Sequence, residues 1–495
     1  MKRHVLIGSA ILTLPVALVL SEGREARVEG DDWPMFGGRP DRNMVSAEKG
    51  LPTEWSWEPR KNVKWAAEIG HETTTYGSPV VAGGRVFMGT SNSKPLDPEV
   101  KGDRGVMACF SAADGAFLWQ AVHEKLHPGD KKKAEEVDYP EVGIASTACV
   151  AGERVYYVNN RAELVCLDVQ GFHDGENDGP FKEEKLARKQ DADVVWILDM
   201  RKEFGITPHQ ASAASPLAVG DLVFAVTGQG RGVASGKVDN PKAPSFVAVD
   251  AKTGKAVWQD DSPGDRIVTG QWGSPAYGVV DGKPQVVFPG GDRWLYAFEP
   301  ATGKLLWKFD CGAHEKPKAD GKPETDNQLV ATPVFHKDRV YIGFGEHPDV
   351  GGSESPGCLR AIDALKRGDI TREGEVWRVD GANFHWTIAN VAVHGSVIFA
   401  VEASGYLNCL DLHTGRLIWR HDFLTTVFGS PLVADGKVYV RTGDGEVVVF
   451  AASKNYKVLA RNKGLPDLGQ GAVIAADGVL YLAGNARLYA IAQSK

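Results

Sequence analysis

The stretch AVDAKTGKAVW, residues 248–258, reads as a β-hairpin. Its apolar residues alternate on both sides of a turn built on Asp250, Thr253 and Gly254, and the second strand ends in Trp258. The pattern returns as AFEPATGKLLW (297–307), CLDLHTGRLIW (409–419) and CFSAADGAFLW (109–119). Hairpins of a second kind, such as GSPVVAGGRVFMG and ASPLAVGDLVFAV, precede it, so each repeat carries four strands.

The repeats count to eight. Small residues open them at Ser78, Ser146, Ser215, Ser274, Thr332, Ala389, Ser430 and Gly471. Closing strands carry Trp65, Trp119, Trp196, Trp258, Trp307, Trp377 and Trp419, with an eighth around Leu459. The two series are out of phase. The first closing strand, NVKWAAEI, comes before any opening strand, and the last opening strands lack a closing partner. Joining these ends leaves no unpaired sheet edge, which a linear solenoid would not require. The fold expected is all-β: an eight-bladed β-propeller of four-stranded antiparallel blades, its last blade closed by the N-terminal strand.

Spacings between the tryptophans place long insertions at residues 123–142, 170–193, 230–244, 311–327 and 364–375. Such loops exceed what the fold needs and are candidates for recognition.

The 495 residues contain 57 Gly and 27 Pro, are 43% hydrophobic and 24% charged, and describe a turn-rich globular chain. A net charge of −8 without a long block of like charge offers no basic face to nucleic acid. Lys2, Arg3 and His4 precede an apolar run, and Ser21 and Gly23 supply small residues at a cleavage site, which reads as a signal peptide over 1–23. The alternative is a retained anchor. No later run is long and apolar enough to span a bilayer, so the mature chain is expected to be periplasmic or secreted and monomeric. Residues 24–61 read as an N-terminal extension and 62–495 as the propeller. Cys109, Cys166, Cys358 and Cys409 are read as one position repeated, too far apart to bridge, and hence as free buried hydrophobes.

The repeat A-x-D-x-x-T-G-x-x-x-W resembles the tryptophan-docking motif of quinoprotein propellers, the pyrroloquinoline-quinone-binding-like repeat superfamily. The resemblance covers nearly the whole mature chain. It implies that each Trp packs against the neighbouring blade. The opening DDWPMFGGRPDRNMVSAEKGLPTEW and the stretch GFHDGENDGPFKEEK also resemble secreted propellers of planctomycete type. The superfamily includes quinone-dependent alcohol dehydrogenases, outer-membrane assembly scaffolds and sensor domains, so fold alone does not select a function. The dehydrogenases resemble one another in an adjacent Cys-Cys disulfide, a Ca²⁺ held by Glu and Asn, and an Asp base. Here no two Cys are adjacent, and there is no C-x-x-C-H for an attached haem.

Two strings invite metal chemistry. His123-Glu-Lys-Leu-His127 matches H-E-x-x-H, a zinc pattern only when a helix aligns both His. It starts at the end of a closing strand and runs into Pro128-Gly129, so a solvated strand end is the expectation. Asp174, Glu176 and Asp178 alternate before Gly179 like the first half of a Ca²⁺ loop, although Lys185 stands where such a loop needs its bidentate Glu. An acidic surface turn is the favoured reading.

Residues just before each opening strand must gather at one mouth of the central channel. These are Tyr76, His209, Gln210, Gln271, Trp272, Gln328, His385, Trp386, Phe428 and Gln470. Aromatic faces mixed with amides and imidazoles suit a planar polar ligand, a sugar or a peptide, and the other reading is that they cap strands and fill the funnel. Walker, nucleophile-elbow and dinucleotide patterns are absent. The function expected is an exported, non-catalytic binding or assembly scaffold, with a protein or small polar ligand at the mouth. The alternative is a dehydrogenase using pyrroloquinoline quinone and calcium.

Overall fold

Alternating apolar residues fold every repeat into a twisted antiparallel sheet, and eight sheets surround a central channel. The structure, a computed structural model, describes residues 32–70, 76–127, 137–314, 327–345, 356–468 and 471–494. The segment read as a signal peptide lies outside them. In the first blade the strands run from the channel outward as Val80–Ala82, Arg85–Ser91, Arg104–Ser111 and Phe117–Glu124. The last blade consists of Ile474–Ala476, Val479–Ala483 and Arg487–Ala492, closed by Val63–Glu68 with Ala66 opposite Tyr489. The phase offset in the sequence is therefore the ring closure. The fourth blade gains a fifth strand, Gly368–Asp369, from an insertion.

The hairpin turn explains its own residues. Asp250 accepts hydrogen bonds from the Thr253 N–H (2.8 Å) and hydroxyl (2.7 Å), and Gly254 has φ +68°. A Cβ on Gly254 would also stand 2.6 Å from the indole of Trp196 in the preceding blade. That indole donates to the Ala251 carbonyl at 3.0 Å. Trp65, Trp258, Trp377 and Trp419 make the same step, to the carbonyls of Ala112, Pro300, Leu412 and Ser453. Trp307 instead donates to Gln285 of its own blade, whose amide donates to Ala364 of the next.

Two register readings need correction. Cys109, Cys166 and Cys409 stand opposite Trp119, Trp196 and Trp419, but in the fifth blade Ala361 faces Trp377 and Cys358 lies opposite Asp380. Cys358 is thus three residues out of step; all six cysteines are nonetheless free and buried. Aligned on strand starts, the true opening residues of the second, sixth and eighth blades are Thr147, Asn390 and Ala472, one position after Ser146, Ala389 and Gly471.

The N-terminal extension is not an appendage. Residues 33–48 run around the channel and meet all eight blades. Trp33 exchanges backbone hydrogen bonds with Val81, and the Pro34 carbonyl accepts from Val150. Arg42 donates to the carbonyls of Pro216 and Pro275, and Pro40 and Asp41 accept from Tyr277 and Phe335. The Asn43 amide pairs both ways with Val393, the Met44 carbonyl accepts from Val433, and the Glu48 carboxylate caps the N–H groups of Asp477 and Gly478. Inner strands otherwise have one unpaired edge, and the strap satisfies it.

Candidate functional site

Above the strap the channel opens into a cavity of about 490 Å³. The strap supplies Phe36 to its lining, and the first five blades and their loops supply nearly all the rest, with Ile388 from the connection to the sixth. Of the ten residues expected at the mouth, three line this cavity: Tyr76, Gln210 and Trp272. Tyr76 is 64% exposed. Gln210 has φ +55°, an uncommon left-handed conformation for its side chain, at the cavity wall. His209 stands behind them. Its Nδ1 is 2.6 Å from the Arg231 carbonyl, and its ring meets Trp272 edge-on with centroids 6.0 Å apart. Burial lowers the pKa of His209, which favours the neutral imidazole.

Others are committed to internal bonds. Gln271 is buried, donates to the Gln229 carbonyl and the Ser245 hydroxyl, and accepts from the Gly291 N–H. Buried Gln328 exchanges backbone bonds with Gly345 and accepts from the Thr269 hydroxyl. Trp386 is buried against Phe428, centroids 5.9 Å apart. Gln470 lies outside the described residues. His385 is half-buried, and both its N–H and its Nδ1 contact the Glu402 carboxylate, at 2.8 and 2.7 Å. Glu402 is fully buried and also holds Asn408 and Arg420. Sequence reading passed over Glu402 because it sits in a turn 17 residues beyond His385.

The sequence also gave the opening residues only a phase. Ser78 donates its N–H to the Thr147 hydroxyl, Thr147 to Ser215, Ser215 to Ser274 and Ser274 to Thr332, at 2.9–3.0 Å. These bonds tie five successive blades through one hydroxyl each, and Thr147, Ser215, Ser274 and Thr332 line the cavity. The relay stops at the sixth blade, where Asn390 replaces the hydroxyl, and an Asn390 to Ser430 bond resumes it. The recurring Ser/Thr before each inner strand was the available signal. Tyr139 and Val142, from the first insertion, line the cavity as well, so one long loop does reach the mouth.

Neither metal string assembles a site. His123 lies in the strand Phe117–Glu124, its ring bonded to the Tyr157 hydroxyl (2.7 Å) and Asn159 (3.1 Å), and burial pushes its pKa down to about 4. No helix aligns it with His127. Asp178 pairs with Arg154 at 2.8 Å, while Asp174 accepts from the Glu176 N–H within its own turn. Among the described residues no group of three or more His, Cys, Asp or Glu is placed to hold a metal ion.

Comparison with known proteins places the chain further. The family described as outer membrane protein assembly factor BamB matches residues 186–347 and 359–494. The BamB of Xanthomonas campestris pv. campestris is 27% identical over 35% of this chain and 47% of its own length. A dehydrogenase subunit of quinone alcohol dehydrogenase from Komagataeibacter europaeus is 26% identical over 76% of this chain and 53% of its own length. The chain spans about half the length of the curated relatives it matches. Among solved structures, BamB from Moraxella catarrhalis superposes with a TM-score of 0.51 at 13% identity, covering 87% of this chain and 98% of that one. Quinohemoprotein alcohol dehydrogenase from Comamonas testosteroni gives 0.50 at 12% identity, covering 94% and 81%. These two share its fold.

Proposed function

The chain belongs to the family described as outer membrane protein assembly factor BamB, and we propose that it is an exported, non-catalytic binding or assembly scaffold whose ligand or partner docks at the channel mouth. One observation carries this reading. A cavity of about 490 Å³, with Phe36 of the strap in its wall, collects residues from the first five blades, and its described lining holds no Lys, Arg, His, Cys, Asp or Glu. A cavity of that size suits a small ligand or the side chains of a partner, and beyond the hydroxyls of Ser, Thr and Tyr its described lining offers no acid, base or nucleophile.

The dehydrogenase reading draws on the length of its match. Pyrroloquinoline quinone is a tricarboxylic acid, so a site for it with Ca²⁺ needs cationic donors and converging carboxylate oxygens. The described residues around the cavity do not fit that group. Among the described residues no helix is long and apolar enough to cross a membrane; export and a monomeric state are part of the proposal.

Envelope extract passed over the immobilised protein tests it. A component retained by the wild type and lost from Trp272→Ala is expected. Retention unchanged in that variant, or alcohol-dependent dye reduction after loading with pyrroloquinoline quinone and Ca²⁺, would overturn the reading.

A further inference from the structure

The chemistry of the cavity wall restricts what it can hold. Thr147, Ser215, Ser274 and Thr332 are each at least nine-tenths buried, and each hydroxyl oxygen already receives a backbone N–H from the preceding blade. None of the four donates to a protein acceptor among the described residues, so four O–H groups on consecutive blades remain to be satisfied from the cavity. Beside them stand the rings of Tyr76 and Trp272, and no charged side chain lines the space among the described residues. Moving a carboxylate or ammonium out of water costs several kcal/mol where no opposite charge stands beside it, and hydroxyls alone repay only part of that, whereas a neutral oxygen acceptor loses little when hydroxyls replace its water. Aromatic faces would welcome a cation, but no carboxylate stands among the described lining residues to neutralise one.

Resting on the mouth as the binding site, we infer that it takes an uncharged ligand. A flat or apolar face lies against Trp272 and Tyr76, and an edge of neutral oxygen acceptors meets the hydroxyls of Thr147, Ser215, Ser274 and Thr332. This ligand class differs from the anionic quinone of the dehydrogenases. It places specificity on the hydroxyl row, a set of residues that the blade-to-blade bonds alone would leave as structural.

Three probes on one nitrophenyl scaffold separate the cases: 4-nitrobenzyl alcohol, 4-nitrobenzoate and 4-nitrobenzylammonium, measured by equilibrium dialysis and ligand-observed NMR on the full chain. The alcohol is expected to bind at least about tenfold tighter than either ion. Ser215→Ala with Ser274→Ala should weaken the alcohol several-fold, with folding checked by circular dichroism. Ala213→Lys, which sets a cation into the lining, should reverse the preference toward 4-nitrobenzoate; this variant reports even if the serine pair disturbs packing. An ion that binds the wild type as well as the alcohol does overturns the inference, as does a serine variant that folds and binds unchanged. If no probe binds, the inference falls, and the mouth reading falls with it only if Trp272→Ala also leaves envelope capture unchanged.

Discussion

The two ends of the channel use the same ring of eight inner strands in opposite ways. At the strap end each blade meets residues 33–48, and the buried cation there is paired: Arg42, fully buried, donates to the carbonyls of Phe36, Pro216 and Pro275. Burial lowers its pKa only to about 10, so it stays charged at neutral pH. At the mouth, the hydroxyls that link the blades accept one hydrogen bond each and keep a donor in reserve. A repeat architecture thus braces one end and leaves hydroxyls with an unspent donor at the other, because corresponding positions of successive blades converge at each.

Removing residues 24–70 should break the comparison most severely, since it deletes both the strap and the strand Val63–Glu68 that completes the eighth blade. Exposed inner edges and an open outer edge predict aggregation in size-exclusion chromatography. A truncated protein that stays monomeric and melts like the parent would refute the closure.

Arg42→Ala should cost about 3 kcal/mol or more, because it takes the donor from two buried carbonyls and a part-buried one. It can be compared in urea unfolding with Trp258→Ala on the outer rim, expected to cost about 3–5 kcal/mol through the cavity it leaves. An Arg42→Ala protein as stable as the wild type would mean that the strap lies on the channel without supporting it.

His123 provides a test away from both ends. Its folded pKa of about 4 lies below the ordinary 6.5, so unfolded chains take up a proton that the native state refuses. Stability should therefore be full above pH 6.5 and fall by on the order of 3 kcal/mol as pH drops toward 4. His123→Gln should flatten that part of the pH profile, and an unchanged slope would show that the ring is not held neutral.

The smallest effects belong to the mouth. Ser274→Ala removes the hydroxyl that accepts the Ser215 N–H and should cost about 1 kcal/mol. Exposed Tyr76→Ala should change stability by under about 0.5 kcal/mol while impairing capture of the ligand. A large loss of stability with unchanged capture would turn the mouth into packing. His385→Ala is a poor choice for this purpose: His385 is bonded to fully buried Glu402, so its removal disturbs a polar cluster.

Blade number, strand count and ring closure were legible because they rest on local periodicity, turn residues and a phase offset, all carried by neighbours in the chain. Tyr76, Gln210 and Trp272 could be placed at the mouth for the same reason, since the residue before an inner strand has one place to be. The division among the ten candidates was not legible. Whether Gln271 faces a ligand or cross-links Gln229, Ser245 and Gly291 depends on loops 20–42 residues away. Likewise nothing local marks residues 33–48 as a strap, because their partners are the unpaired edges of strands up to 430 positions distant. The sequence by itself determined the repeating sheet and its closure, which follow from side-chain alternation and turn chemistry. Tertiary structure alone decided which polar groups are spent on the protein and which keep an unspent donor, because hydrogen-bond satisfaction is a property of the assembled ring.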